Sequence, residues 1–283
     1  GVVLLGGDHW PDEEWMRQVA RELNLSETAF AHPLPGHGDS EWALRWFTPV
    51  VEDDLCGHAT LATAHALAAA GRVDTPGVVR FASRSGVLPV HLAGDGAITL
   101  DFPAATVADV AVPPGLAGAL GVPVERAHGT GTLRDLLVVL PDENAVRGLR
   151  PDLAALAEVT RREHLRAITV TAPAEPGRDH DFVSRFFSPA DGIPEDPVTG
   201  STHTALAPYW ARRLGRDELT GLQASRRTGL VRAALRHDRV HLTGRAVTVV
   251  RGALLATPPD LSHADPAHRK ARGDESAKRG GSA

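Results

Sequence analysis

Two stretches of the sequence follow the same order of residue types and could bind an anion. One runs RWFTPVVEDDLCGHATLATAHAL from Arg45, and the other runs RFFSPADGIPEDPVTGSTHTALAPYW from Arg185. Each passes from Arg and two aromatics through a hydroxyl residue and Pro to acidic residues, and then to a Gly that opens an apolar helical pattern. A helix N-terminus presents free N–H groups and about half a positive charge, so its usual guest is a carboxylate or a phosphate.

The glycines of these stretches, Gly57 and Gly200, would let the backbone approach such a ligand closely. If the two helix ends meet where two halves of the protein join, they form one cleft for a small anionic metabolite. The alternative is plain capping, with Ser201 as an N-cap and the glycines as turn residues. The occurrence of the feature in two matched loops favours the binding role.

The elements that must position these residues repeat along the chain. Arg45 and Arg185 are 140 residues apart, whereas Gly57 and Gly200 are 143 apart, so the second loop is three residues longer. Upstream, ETA at Glu27 falls opposite VTA at Val170, again with an offset of 143. A period this long exceeds that of solenoid repeats and predicts two similar α+β halves related by a pseudo-two-fold axis.

Each half reads as helix, two strands, Gly turn, apolar helix and strand meander. We place the N-terminal half-domain at residues 1–110 and the C-terminal half-domain at 111–259. The polar Gly/Ser/Lys-rich tail at 260–283 is predicted to be disordered. Because the chain opens directly on the strand-like VVLL, we expect the first half to lack a preceding strand and its sheet to show a gap there.

Composition narrows the function classes. The chain has 283 residues, 42% of them hydrophobic, and a formal net charge of −5, which does not favour binding to nucleic acid or to an acidic membrane. No apolar run approaches the roughly 18 residues of a membrane span. A cytoplasmic location is the default. A metal hydrolase is disfavoured because no HExxH-like ligand spacing occurs, no metal site is expected, and GTGTLRD at Gly129 is too short and badly placed for a dinucleotide loop.

Several motifs together resemble the PhzF-like, or phenazine-biosynthesis-protein-like, family. They are ELNLSETAF, RWFTP, DLCGHATLATAHAL, SRFFSP and EDPVTGSTHTALAPYW, with a weaker LQASRRTG. The resemblance implies a diaminopimelate epimerase-like fold, in which each half is a curved sheet or half-open barrel around a central apolar helix. It also implies an active site between the halves, isomerase chemistry without a cofactor, and a homodimer. The family normally opens with a strand and a Gly-Asn-Pro loop before VVLL.

The family's catalytic residues match four positions of this chain, which are Glu27, His58, Asp196 and Ser201. The expected substrate-binding residues are those that open the two helices, namely Gly57, Ala59, Gly200 and Thr202.

The two halves differ at the residues that could move a proton. Glu27 is ionisable and its counterpart is expected to be Val170. Cys56 is the single cysteine of the chain, and the second stretch has Pro197 and Val198 in the corresponding region. Because one thiol cannot serve both faces of a carbon, the sequence argues against two-thiol epimerisation. We expect Cys56 to be a small buried hydrophobe.

Glu27 is therefore the candidate single acid/base, which would move a proton within a small carboxylate-bearing metabolite. In a largely apolar cleft its pKa is expected to be raised, which suits a proton shuttle near neutral pH. Two alternatives stay open at this point. One is a racemase or epimerase of an amino or imino acid, and the other is a non-catalytic small-molecule-binding protein that has kept the fold.

Overall fold

Within the part of the chain that the structure describes, one continuous mixed sheet of 16 strands forms the framework. The computed structural model describes residues 1–34, 36 and 41–255, and the tail predicted at 260–283 lies outside these residues. None of the helices in the described part combines the length and apolar character needed to traverse a lipid bilayer.

The strands, in chain order, are β1 (Val2–Leu4), β2 (Thr28–Pro33), β3 (Glu41–Phe47), β4 (Glu52–Asp53), β5 (Gly77–Ser83), β6 (Gly86–Leu92), β7 (Ile98–Pro103), β8 (Ala108–Val110), β9 (Ala127–Gly129), β10 (Asp135–Val139), β11 (Ala167–Pro173), β12 (Phe182–Ser188), β13 (Ile193–Asp196), β14 (Glu218–Gln223), β15 (Gly229–Arg236) and β16 (Arg239–Gly244). The α-helices are α1 (Glu13–Leu23), α2 (Gly57–Ala69), α3 (Leu116–Leu120), α4 (Glu143–Gly148), α5 (Leu153–Arg162) and α6 (Gly200–Leu214).

The strand order shows the internal repeat directly. It runs β1-β2-β3-β5-β6-β7 and then β16-β15-β14-β12-β11-β10-β9-β8, with β4 paired to β3 and β13 paired to β12. The second half thus repeats the first in reverse spatial order, and the antiparallel β7–β16 pair joins them. The predicted pair of pseudo-symmetric α+β halves is confirmed. Strand β8 pairs with β9 of the second half, although it precedes the expected boundary at residue 110.

The strand register corrects one detail of the repeat. Arg45 pairs with Phe30 in the first half, and its counterpart Arg185 pairs with Val170 in the second. Val170 is therefore the counterpart of Phe30, at an offset of 140. The expectation that Val170 is opposite Glu27 was wrong, because the three extra residues enter only after β12. At the offset of 140, Glu27 falls opposite Ala167, which is also not ionisable.

The repeated arginines hold the loops that lead to the two helix ends. Arg45 donates to both carboxylate oxygens of Glu52 at 2.7 Å, and its guanidinium lies 5.1 Å from the ring centroid of Phe47. In the second half, Arg185 donates to Glu195 at 2.7 and 2.9 Å. Bidentate guanidinium–carboxylate pairs fix geometry better than single hydrogen bonds do. The repeated Arg therefore has a structural role in both halves.

Helices α2 and α6 are the central helices of the two halves. Nearly all of α6 is buried, from Gly200 to Ala207 without a break, whereas α2 has a half-buried side that includes Leu61 and His65. Helix α2 is therefore less completely enclosed than α6. In the second half, β9 and β8 extend the sheet beyond β10. At the equivalent place in the first half, β1 is the edge of the sheet within the described residues.

Helix α1 covers the outer face of the strand that follows Glu27. The Asp12 side chain accepts a hydrogen bond from the backbone N–H of Glu14 at 2.9 Å and so caps the helix start. Trp15 and Met16 lie on its buried face and pack, with Val19 and Ala20, against the phenylalanines of β2 and β3. This layer fixes the start of β2, where Glu27 is placed.

Candidate active site

The N-termini of α2 and α6 lie against each other at Gly57 and Gly200. A Cβ atom built on Gly57 would lie 2.9 Å from the Cα of Gly200, and the reverse distance is also 2.9 Å. Only glycine allows this approach at either position. Both glycines line one cleft with a volume of about 410 Å³. The prediction that the two helix ends share a cleft is confirmed.

His58, in the first turn of α2, lies between two buried carboxylates from opposite halves. Its Nε2 atom is 3.0 Å from Oε2 of Glu27, and its Nδ1 atom is 3.9 Å from Oδ2 of Asp196. The side chains of Glu27 and Asp196 are 6% and 2% exposed. Despite the short distance, the geometry between His58 and Glu27 Oε2 is not that of a hydrogen bond, and this oxygen has no hydrogen-bond partner in the described structure.

The Glu27–His58 pair is best described as a carboxylate beside an imidazolium. Burial alone would raise the pKa of Glu27, but the charge and contact of His58 outweigh it and bring the pKa below its ordinary value. Burial alone would lower the pKa of His58, yet the contact with Cys56 and the charge of Glu27 hold it well above its ordinary value. The expectation of a raised pKa for Glu27 was thus wrong, because the sequence did not show how closely His58 lies beside it.

Cys56 keeps its proton at neutral pH. Burial, with the nearby charge of Glu27, raises the pKa of its thiol to about 12. The side chain is buried, and Sγ lies 3.8 Å from Nδ1 of His58. Since the thiol is neutral, Glu27 is the charge that holds the proton on His58. Cys56 is the N-cap of α2, and the N-cap of α6 is Thr199, so the second half offers a hydroxyl where the first has a thiol.

Asp196 is set in a hydrogen-bond network at the start of α6. The hydroxyl of Thr199 donates to its Oδ2 atom. The amide of Gln223 donates to the Thr199 hydroxyl at 3.0 Å and accepts from the Thr199 backbone N–H at 2.8 Å. Burial raises the pKa of Asp196, the charge of His58 opposes this rise, and that of Glu27 adds to it. Its Oδ1 atom is buried and has no partner within the described residues.

Ser201 is held by an arginine that sequence reasoning missed. Arg166 donates from Nη2 to the Ser201 hydroxyl at 3.0 Å, and it binds Asp135 through two hydrogen bonds of 2.7 and 2.6 Å. The same contact recurs in the first half, where the Ser26 hydroxyl lies 3.4 Å from Nε2 of His58. At the offset of 140, Arg166 is the counterpart of Ser26.

The side chains of two predicted substrate-binding residues lie away from the cleft. Ala59 and Thr202 are 1% exposed, and neither lines the cleft. The hydroxyl of Thr202 instead pairs with that of Thr169 at 2.8 Å. A role for Ala59 and Thr202 in binding is therefore limited to their backbone N–H groups in the first helical turns.

A further carboxylate, Asp53, lines the cleft and was not predicted. It ends β4, and its backbone pairs with Trp46 just as that of Asp196 pairs with Phe186. Burial raises the pKa of Asp53 to about 6, with Arg166 opposing the rise and Glu27 adding to it. The offset of 143 from Asp53 to Asp196 was visible in the sequence.

One cluster in the described residues has the composition of a metal site. Donor atoms of Glu27, Cys56 and His58 lie within 4.8 Å of one another. Binding a metal would require removal of the protons from both His58 and Cys56. Because both groups hold their protons at neutral pH, the cluster as it stands does not favour a metal ion.

Known proteins that are similar to this chain are named as phenazine biosynthesis-like proteins or as isomerases. The family model for phenazine biosynthesis-like proteins matches residues 1–252. An uncharacterized isomerase of Pseudomonas aeruginosa is 46% identical over 252 residues, which cover 89% of this chain and 90% of that protein. A phenazine biosynthesis-like domain-containing protein of Mus musculus is 39% identical, with 87% of this chain and 90% of that protein covered. A crystal structure of a PhzF-family protein from Enterococcus faecalis has a TM-score of 0.78 at 39% identity, covering 90% of this chain and 92% of that one.

Proposed function

Because this chain belongs to the phenazine biosynthesis-like, or PhzF-like, family and is an isomerase, we propose that it shifts a proton within a small carboxylate-bearing metabolite. Glu27 serves as the single acid/base, and no cofactor takes part. The observation that carries this proposal is the carboxylate of Glu27, which lines the cleft, is held ionised by His58 and has its Oε2 atom 3.0 Å from Nε2 of that residue.

The substrate carboxylate binds where the two helix ends meet. The first-turn N–H groups that follow Gly57 and Gly200 supply donors and partial positive charge. The Ser201 hydroxyl accepts from Arg166, so its own proton is free to point to the carboxylate. These donors also stabilise negative charge that spreads into the carboxylate when a neighbouring carbon loses its proton.

The proton moves in two steps, and Glu27 ends in the same ionised state in which it began. Glu27 removes a proton from a carbon next to a π-system, and the electron pair of the broken C–H bond delocalises into that system. The now neutral Glu27 returns the proton to another carbon on the same face, and the π-system shifts in the opposite direction. His58 keeps its positive charge beside Glu27, which favours the carboxylate at the start and end of each cycle.

Asp196 is the second buried carboxyl beside His58 and complements Glu27. Neighbouring carboxyls whose pKa values are driven apart commonly divide into one base and one proton donor. Asp196, whose pKa is raised by burial, lies on the other side of His58 from Glu27 and is the second carboxyl that can hydrogen-bond the substrate. A two-base racemase is less well supported, since the counterpart of Glu27 is Ala167 and that of Cys56 is Thr199.

The proposal can be tested before the substrate is known. A bacterial metabolite extract is incubated in D₂O with the wild-type protein, with Glu27→Gln, or without protein, and is then analysed by mass spectrometry. We expect at least one carboxylate-bearing metabolite to gain deuterium with the wild type alone. Equal labelling by Glu27→Gln, or no labelling by the wild type in extracts where a known isomerase labels its own substrate, would contradict the proposal.

A further inference from the structure

The segment LQASRRTG, which starts at Leu222, binds the loop that joins β13 to α6. Its Gln223 ends β14, is fully buried and does not line the cleft. The Gln223 amide donates to the backbone carbonyl of Asp196 at 2.8 Å, and the Ser225 hydroxyl donates to that of Pro197 at 2.8 Å. The segment therefore acts on the cleft from outside it.

The orientation of the Gln223 amide is fixed by two backbone groups. Its Oε1 atom accepts the backbone N–H of Thr199 at 2.8 Å, and its Nε2 atom donates to the carbonyl of Asp196 at 2.8 Å. Exchanging the oxygen and the nitrogen would set donor against donor and acceptor against acceptor in a buried place, which costs free energy. The second proton on Nε2 is thus directed to the Thr199 hydroxyl oxygen, 3.0 Å away.

Gln223 in turn determines where the Thr199 hydroxyl proton points. A threonine hydroxyl has one proton, and because its oxygen accepts from Gln223, this proton is left for another acceptor. That acceptor is Oδ2 of Asp196. The backbone of Thr199 is held as well, since its carbonyl lies 2.7 Å from Nδ1 of His203. Gln223, Thr199 and Asp196 therefore form a chain of hydrogen bonds with one direction, which we call the Gln223 relay.

The relay makes the two carboxyl oxygens of Asp196 unequal. Oδ2 already accepts the Thr199 hydroxyl proton. A proton of the carboxyl itself, or a hydrogen bond from a substrate, is therefore favoured at Oδ1, which is buried and has no partner within the described residues. Buried acceptors left unpaired cost free energy, so contact of Oδ1 with a donor is stabilising.

Among the described residues, the first half has no equivalent of the relay. At the offset of 140, the registers of β5 and β14 make Ser83 the counterpart of Gln223. The Ser83 hydroxyl donates to the carbonyl of Gly86 at 2.8 Å, within its own hairpin. The counterpart of Thr199 is Cys56, which carries a thiol. The relay thus distinguishes the second-half wall of the cleft from the first.

We propose that Gln223 is a positioning residue, which acts on Asp196 through Thr199 and leaves Oδ1 as the oxygen that hydrogen-bonds the substrate. This inference rests on the proposed function, in which Asp196 contacts the substrate. It deepens that function by assigning the contact to one oxygen and by giving a residue outside the cleft a part in turnover. A hydrogen bond to a carboxylate is stronger than one between neutral groups, so loss of the relay is measurable.

Carbon-13 NMR of protein labelled at the aspartate carboxyl carbons tests the relay. The measured quantity is the pKa of Asp196, whose signal is assigned by its loss in Asp196→Asn. Thr199→Val removes a hydrogen bond to the carboxylate and should raise this pKa by about one unit, a tenfold change in proton affinity. Thr199→Ser and the control Thr160→Val, which changes a buried threonine of α5, should leave it near the wild-type value.

Gln223→Met separates the relay from simple support of the loop. It should raise the same pKa, but it should add nothing to Thr199→Val in the double variant, because Gln223 acts through the hydroxyl. In the wild type, a nuclear Overhauser effect between the Gln223 amide and the Thr199 hydroxyl proton gives a readout that needs no variant. The charged groups that act on Asp196 are the same in all of these proteins, and they are His58, Glu27 and Arg166.

Deuterium exchange tests the part in turnover. Thr199→Val and Gln223→Met should each slow the exchange that the wild type catalyses by about tenfold, and Thr199→Ser should retain it. An unchanged rate in Thr199→Val would overturn the positioning role.

The outcomes separate the two proposals. The relay is overturned, while the Glu27 mechanism stands, by an unchanged Asp196 pKa in Thr199→Val, by equal effects of Gln223→Met with and without the Thr199 hydroxyl, or by a hydroxyl proton without an Overhauser effect to the amide. If the wild type exchanges no deuterium, the proposed function fails and the substrate contact of Oδ1 fails with it, whereas the NMR data still decide whether the relay exists.

Discussion

Asp53→Asn is expected to stabilise the fold at alkaline pH, an unusual result for a change inside a ligand cleft. Burial raises the pKa of Asp53 from 3.8 to about 6 in the folded protein. The pKa of Asp53 is thus higher in the folded protein than in the unfolded chain. The wild type has its full stability from this group below the unfolded pKa of 3.8, and it loses that stability as the pH rises through the folded pKa of about 6. Two pKa units correspond to about 3 kcal/mol, which partial solvation of the cleft reduces to about 1–3 kcal/mol.

Urea unfolding at about pH 4 and about pH 8 measures this effect. The variant should gain about 2 kcal/mol more over the wild type at the higher pH than at the lower, because asparagine carries no charge at either. Asp54→Asn is the control, since Asp54 is exposed. An equal gain at both pH values, or the same gain in Asp54→Asn, would refute the claim that Asp53 is ionised against the cost of burial.

Three other changes probe the parts around the cleft. Gly57→Ala should destabilise the fold by about 1–3 kcal/mol in thermal unfolding, because its Cβ would lie 2.9 Å from a backbone carbon of Gly200. Gly118→Ala, which has open space around it, should not destabilise the fold, and equal effects of the two changes would contradict the contact between the helices. Cys56 should resist iodoacetamide at neutral pH until the protein unfolds, because its thiol pKa is about 12, and rapid labelling of the native state would show a thiolate. Arg166→Gln should cost about 3–5 kcal/mol in urea unfolding because it leaves Asp135 buried without its charge partner, and a loss below about 1 kcal/mol would contradict this role.

The sequence was most informative where the two halves repeat each other. The matched Gly57 and Gly200 predicted a shared cleft, because a glycine at the mouth of each apolar helix indicates that something approaches the backbone closely there. The same comparison misplaced the counterpart of Glu27, since an alignment of three letters cannot show where three extra residues enter. The register of β2 and β3 against β11 and β12 settles this through hydrogen bonds.

The electrostatics of the site were beyond the reach of sequence reasoning. The lowered pKa of Glu27 depends on a 3.0 Å approach by His58, which lies 31 positions away in the chain. Arg166 could not be recognised from the sequence, because its role depends on an ion pair with the buried Asp135, which lies on a neighbouring strand. Asp53 could have been found from its offset to Asp196, but the burial that raises its pKa was not visible in the sequence.

The central claim is that one carboxylate, Glu27, carries the proton. The most direct measurement compares Glu27→Gln and Cys56→Ala in the same deuterium-exchange reaction, on the metabolite that the wild type labels. Glu27→Gln keeps the size of the side chain but cannot accept a proton, so the exchange rate should fall by at least about 10²–10⁴-fold, whereas Cys56→Ala should retain most of it. An inactive Cys56→Ala beside an active Glu27→Gln would contradict the single-carboxylate account and assign the proton transfer to the thiol.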